Sequence, residues 1–364
     1  MAFNLFKTVF MNKRRLQILL ILSFLCCTVP SFARPADSLR VYLSNYSFPA
    51  AEMKGALCRI LGDNVDQYTP LLTGANADLF KLKKSELFLS RRGRKYFKKF
   101  SRVDISLSFS SENKRVMERT FTLLKGNFAA NKVVAHRGAW KNTALPQNSI
   151  ASLQAAIKLG CAGSEFDIQL TTDTVLVINH DPTYQGMGIE HSNYTDLLKF
   201  PLPNGEPLPT FENYLKAGIT QQNTRLFAEI KPSVIDKAHV LELTRRVVEE
   251  VWRKKAQAWV IYISFDYDAL KEVLRLDPSA VTMYLNGDKS PDELKKDGIQ
   301  GLDYHYNVYH KQQQWISEAH AAGMEVNVWT VDTVPEMEYF LAQKVGYITT
   351  NEPENLFALL PKPK

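Results

Sequence analysis

From Lys132 onward the chain alternates short β-branched apolar runs with stretches of helical apolar spacing, and few folds can absorb that alternation. Strand-like runs begin near Val133, Glu165, Val175, Leu226, Trp259, Val281, Leu302, Val326 and Tyr347. Between them, Ser149 to Leu159 reads as an amphipathic helix ending at Gly160, Ile235 to Lys254 carries apolar residues at helical spacing, and Lys311 to Ala322 ends at Gly323. Repeated β-α units over about 230 residues predict an α/β fold, a (β/α)8 barrel of TIM type across residues 131–360. Nine candidate strands compete for eight places, so one is expected to be peripheral.

The segment before it reads differently. From residue 38 to 126 short apolar runs, among them Val41-Tyr-Leu, Leu57-Cys-Arg-Ile-Leu, Leu87-Phe-Leu and Val103-Asp-Ile-Ser-Leu-Ser-Phe, are punctuated by Gly62-Asp-Asn, Gly74-Ala-Asn and Arg92-Gly. That pattern predicts a small all-β sandwich. The run Ala77 to Leu89 bears a moderate likeness to cadherin-like repeats but lacks their calcium-binding linker motifs. Lys81 to Lys99 holds nine basic residues interleaved with aromatic and aliphatic ones. Solvated hairpin faces that guard sheet edges are the plainer expectation; contact with an anionic envelope surface is the functional one.

Residues 1–33 combine Lys13-Arg-Arg, a short apolar run from Leu16 to Cys27 and Ser31-Phe-Ala33, the marks of a secretory signal peptide cleaved after Ala33. The protein is therefore expected to be periplasmic or secreted. The leader carries four cations and no acids, so the formal charge falls from +7 to +3 on its removal. The basic isoelectric point is thus largely a leader effect and gives no reason to expect nucleic acid as a partner. Cys58 and Cys161 remain, as a disulfide pair or as two buried thiols.

Four segments at predicted strand ends carry the chemistry: His136-Arg-Gly, Glu165-Phe-Asp, His180-Asp and Glu229-Ile-Lys. Glu165 and Asp167 are two apart and share one face of a strand, which in a barrel is the interior. Inward carboxylates are costly unless paired or metal-bound. With Glu229 they offer three oxygen ligands, suited to one hard divalent cation, Mg²⁺ or Ca²⁺. His136 and His180 can move protons near neutral pH, and Arg137 and Lys231 can hold phosphate oxygens. This set points to metal-assisted cleavage of a phosphodiester.

Together with Pro146-Gln-Asn-Ser, Val328-Trp-Thr-Val and Ile348-Thr-Thr-Asn-Glu-Pro, these segments resemble the glycerophosphodiester phosphodiesterase family from about Lys132 to Phe357. The resemblance implies a barrel that hydrolyses a small glycerophosphodiester to sn-glycerol 3-phosphate and an alcohol. It assigns the metal to Glu165, Asp167 and Glu229, acid and base work to His136 and His180, and a pocket wall against the glycerol to Trp329. Gln147 stands where the family usually has Glu, and Asn351 replaces a common aspartate. Two rivals stay open. A phospholipase of D or C type acting on lysolipid or inositol lipid would want an apolar rim beside the site, and no long apolar loop supplies one. A non-catalytic binding barrel would not need the intact set of polar residues.

Overall fold

The structure, a computed structural model, describes residues 40–49, 54–112, 114–126 and 128–361. The leader expected over residues 1–33 lies outside them. Sandwich and barrel belong to a single compact unit.

Strands β1 (Val41–Leu43), β2 (Ser47–Phe48), β3 (Ala56–Gly62), β4 (Thr69–Thr73), β5 (Phe80–Lys83) and β6 (Glu86–Leu89) precede helix α1 (Arg91–Tyr96), and β7 (Arg102–Ser111) and β8 (Lys114–Lys125) follow it. They form two four-stranded sheets, ordered β1-β3-β6-β5 and β2-β8-β7-β4. Alternation along β7 sends Val103, Ile105, Leu107 and Phe109 into the layer between the sheets, against Leu43, Ile60, Leu87 and Phe121. Arg91 to Lys99, expected as hairpin face, instead starts as a helix. The Ser90 hydroxyl accepts from the Gly93 amide at 3.0 Å and caps it. Gly93 marks a close approach rather than a turn: a Cβ there would lie 2.0 Å from the Leu79 carbonyl.

The barrel closes from β9 (Val133–Ala135) through β10 (Gly163–Leu170), the paired strands β11 (Leu176–Ile178), β12 (Thr183–Tyr184) and β13 (Met187–Gly188), then β14 (Arg225–Ile230), β15 (Val260–Ser264), β16 (Val281–Tyr284), β17 (Gly301–His305), β18 (Glu325–Trp329) and β19 (Tyr347–Thr350). Eight of these pair in parallel as β9-β10-β14-β15-β16-β17-β18-β19, and β19 returns to β9. The ninth candidate, at Val175, is the peripheral one. β11 runs antiparallel to the end of β10, with Ile168 opposite Ile178. Helices α2 (Ile150–Leu159), α3 (Tyr194–Leu197), α4 (Phe211–Gly218), α5 (Lys237–Lys254), α6 (Tyr267–Leu276), α7 (Pro291–Lys296), α8 (Tyr306–Lys311), α9 (Trp315–Ala321), α10 (Val334–Ala342) and α11 (Pro353–Leu359) complete the α/β units. Ser149, Thr210, Asp236, Asp266 and Ser290 cap five of them, each accepting from an amide of the first turn. Of the expected helix Lys311–Ala322, Trp315–Ala321 is helical as α9, while Lys311 ends the separate helix α8. Among the described residues, no helix is long and apolar enough to cross a membrane.

The barrel interior is plugged by Val134, Phe227, Ile261, Ile263, Met283 and Leu285. Gly163 makes room for Phe227: a Cβ at that position would lie 2.5 Å from the ring.

The sandwich sits under the N-terminal ends of the barrel strands. Arg102 stacks on Trp259 at 5.1 Å and donates to the Ile219 carbonyl at 3.0 Å. Lys255 donates to Asp104 at 2.6 Å, Phe121 meets Trp252 edge-on, and Arg40 donates to the Arg275 carbonyl. Each barrel partner lies at the end of a helix or at the start of the strand after it, on the face opposite the strand exits. Cys58 and Cys161 are both buried and free, one in each part.

Gly163→Ala is expected to destabilise the protein by about 1–3 kcal/mol through overpacking against Phe227, read as a lower denaturation midpoint. An unchanged midpoint would show that the ring has room to move.

Candidate functional site

The strand exits of β9, β10 and β14 bring the predicted residues together. Parallel register sets Asp167 beside Glu229 across β10 and β14. Glu165, Asp167 and Glu229 are all buried, and each offers an oxygen within 4.8 Å of the others'. Their surroundings divide the charge unequally. Burial, then the charges of Asp167 and Glu229, push the Glu165 carboxyl well above its ordinary value. Burial and Asp167 push Glu229 up to about 8. Burial alone would also raise Asp167, but Lys231, His180, Asn148 and Arg137 outweigh it and hold the carboxyl below the usual range.

Cations and amides manage the crowding. Lys231 Nζ lies 2.8 Å from Glu229 Oε1 and 3.2 Å from Asp167 Oδ1. The Arg137 amide donates to Glu165 Oε2 at 2.9 Å, and its guanidinium donates to Gln147 Oε1 at 2.9 Å. Asn148 donates to Asp167 Oδ2 at 2.8 Å. Glu165 Oε1 is buried without a hydrogen-bond partner. Three hard oxygen ligands converging around an unsatisfied buried oxygen fit a divalent cation.

The two histidines arrive by different routes. His136 follows β9 directly, and its Nδ1 lies 2.9 Å from Asn351 Oδ1. Asn351 spends its own NH₂ on Asp332 at 2.8 Å, so its oxygen faces the ring and Nδ1 carries the proton. Nε2 is left bare, 3.9 Å from Glu165 Oε2. Burial, then the Arg137 charge, lower the His136 pKa to about 4. His180 stands on the turn after the antiparallel β11, not on a barrel strand as its sequence context implied. Gln169, two residues beyond Asp167 on β10, reaches across and donates to the Asn179 and Asp181 carbonyls at 2.8 and 2.6 Å, which fixes that turn. His180 Nδ1 lies 2.7 Å from Asp181 Oδ1.

His136, Arg137, Glu165, His180 and Glu229 line a cavity of roughly 110 Å³ with an opposing wall of Ile263, Phe265, Leu285 and Trp329. Trp329 donates from Nε1 to the Asp303 carbonyl at 2.7 Å and meets Phe265 edge-on. The Asp303 carboxyl, also in the lining, is pushed up to about 7 by burial. Phe265, Leu285, Asp303 and Gln169 carry no local motif, and sequence reasoning passed over them. For Gln169 the alternation Glu165, Asp167, Gln169 was the available signal.

A closed parallel barrel with an acidic cluster, two histidines and two cations at its strand exits is the framework of an α/β-barrel hydrolase. A model of the glycerophosphoryl diester phosphodiesterase family matches residues 136–355, and the chain belongs to that family. A glycerophosphodiester phosphodiesterase from Caldanaerobacter subterraneus is 28% identical over 246 residues, which are 63% of this chain and 98% of the relative. The crystal structure of a glycerophosphodiester phosphodiesterase from Parabacteroides distasonis is 43% identical, with a TM-score of 0.61 over 64% of this chain and 98% of that one. At 23% identity and a TM-score of 0.54, a phosphodiesterase from Oleispira antarctica, solved with the product sn-glycerol-3-phosphate, shares the fold over 63% of this chain and 96% of that one. The family match begins beyond the sandwich. This chain is a glycerophosphodiester phosphodiesterase with an additional β-sandwich at its N-terminal side.

His136 gives the site a pH signature. Its folded pKa lies below the ordinary 6.5, so protons favour the unfolded chain and stability falls as pH drops from 6.5 toward about 4. In an NMR titration its ring is expected to stay neutral down to about pH 5, and His136→Asn should flatten the stability loss over that window. An ordinary titration near 6.5 would remove the burial argument.

Proposed function

We propose that this protein hydrolyses soluble glycerophosphodiesters to sn-glycerol 3-phosphate and an alcohol, with Glu165, Asp167 and Glu229 holding one divalent cation. The observation that carries the reading is the buried carboxylate trio flanked by two differently prepared imidazoles. When bound, a divalent cation would supply Lewis acidity at a phosphate oxygen and make a coordinated hydroxyl easier to deprotonate. Every other part falls to the chain itself. Arg137 and Lys231 orient the non-bridging phosphate oxygens and offset the charge that builds there. Trp329, Phe265 and Leu285 pack against the glycerol carbons and exclude water from that side.

The histidines take opposite roles. The bare Nε2 of His136 accepts the proton of the attacking hydroxyl, while Asn351 holds the ring in that tautomer. His180 carries a proton to the leaving alkoxide, and the Asp181 carboxylate beside Nδ1 orients the ring. Either substitution to Ala is expected to cost about 10²-fold or more in turnover of glycerophosphocholine. With a nitrophenyl leaving group, which departs without protonation, the His180→Ala loss should shrink while the His136→Ala loss persists. Equal behaviour on both substrates would reverse or abolish the assignment.

The cation reading has its own test. In the free trio Glu229, pushed up to about 8, holds a proton that a divalent cation must displace. Calorimetric titration with Mg²⁺ or Ca²⁺ at pH 7 is expected to show proton release, and the apparent affinity should climb as pH rises toward 8. Glu165→Gln should remove most of both effects. Heat without proton release would sink this picture of the trio.

A second reading, action on lysolipid, gains one observation. Leu198 and Phe200, 39% and 42% exposed, and Val234 and Ile235, 61% and 45% exposed, lie on segments beyond the strand exits. Those segments are tied to the site loops, Tyr184 donating to the Phe200 carbonyl and the Val234 amide to Glu190. In this reading the two segments together would supply the apolar rim that no single loop provides. Comparing glycerophosphocholine with lysophosphatidylcholine, in the wild type and in Val234→Ser/Ile235→Ser, separates the readings. The soluble-substrate reading expects the double variant to leave glycerophosphocholine turnover unchanged.

A further inference from the structure

A pronounced charge asymmetry lies in the sandwich, outside the barrel that holds the site. Between Asn76 and Phe100 there are nine cations and two acids, a net +7. Without the leader the whole chain carries +3, so everything outside this stretch of 25 residues is net −4. All nine cations are exposed. Among the described residues only Arg92 finds a carboxylate, that of Asp78. Lysines that merely solubilise a surface are interspersed with acids; these are not.

Folding concentrates them further. Because Arg91–Tyr96 is a helix continued by a turn, Arg92, Lys95, Lys98 and Lys99 converge with Tyr96 on an open cleft of about 510 Å³. Phe100, 54% exposed, stacks on Tyr96 at 4.7 Å. An exposed phenylalanine gains nothing from a soluble polyanion, whereas a bilayer interface offers anionic headgroups for the lysines and an apolar boundary for the ring.

We propose that this cleft and its aromatic rim are a docking surface for anionic phospholipid bilayers. The sandwich meets the barrel on the face opposite the strand exits, so docking there leaves the cavity mouth open to solutes. The proposal is independent of the reaction assigned to the barrel.

The test is co-sedimentation with vesicles of equal parts phosphatidylcholine and phosphatidylglycerol, against vesicles of phosphatidylcholine alone. The full chain is expected to bind the mixed vesicles, not the neutral ones, and to be released by high salt. Each lysine near the surface is worth about fivefold in affinity. The variant Lys95→Ser/Lys98→Ser/Lys99→Ser should therefore bind on the order of a hundredfold more weakly. A charge-matched control, Lys158→Ser/Lys216→Ser/Lys311→Ser, removes the same net charge from exposed barrel positions and should bind as the wild type does. Both variants should keep the wild-type denaturation midpoint and glycerophosphocholine turnover. No binding to mixed vesicles, equal binding to neutral ones, or equal loss in both variants would overturn the proposal. Retention on a heparin column without vesicle binding would do so too, by making the cleft a site for a soluble polyanion.

Discussion

Three carboxylates held within 4.8 Å of one another inside a barrel are the constraint on which the rest of the site depends. Like charges that close, and out of water, cannot all ionise without compensation. The chain answers with Lys231 between two of them, the Arg137 amide on the third and Asn148 on the most ionised. Each answer fixes another part of the fold. Asn148 precedes the Ser149 cap of α2, so the start of that helix and the Asp167 carboxylate are tied in one turn. Arg137 is fixed by Glu165 and Gln147 together, which sets the path of the chain after His136.

The cavity is divided into two chemistries. β10, β14 and the turns after β9 and β11 supply Glu165, Glu229, His136, Arg137 and His180, while residues at or just beyond β15, β16 and β18 supply Ile263, Phe265, Leu285 and Trp329. A substrate with one charged centre and one carbon-rich end has a single orientation in such a space. The two imidazoles differ in the same spirit, one part-buried with an amide partner and one more exposed with a carboxylate partner.

Much of this was legible in the sequence, because strand periodicity and local motifs are short-range signals. Glu165, Asp167 and Glu229 announce themselves as acids on apolar strands, and the β-α alternation announces the barrel. What escaped depends on partners distant in the chain. The run at Val175 has the composition of a barrel strand, but its pairing with β10 is antiparallel, and no local pattern encodes direction. The Asn351 that sets the His136 tautomer lies 215 residues away. Gly93 looked like a turn residue because a glycine demanded by the neighbouring Leu79 carbonyl and one demanded by backbone geometry are the same letter.

The seam between sandwich and barrel bears on how the chain assembles. The sandwich is complete by Lys125, yet its barrel contacts fall on Ile219, Trp252, Lys255, Trp259 and Arg275, not on the strand that follows it. A chain emerging from the ribosome therefore presents the whole sandwich segment before the middle of the barrel has been synthesised. The ends of α4, α5 and α6 that rest on the sandwich are then made, with β19 still to come. In chain order, every barrel element that the sandwich contacts precedes β19, the strand that closes the ring onto β9.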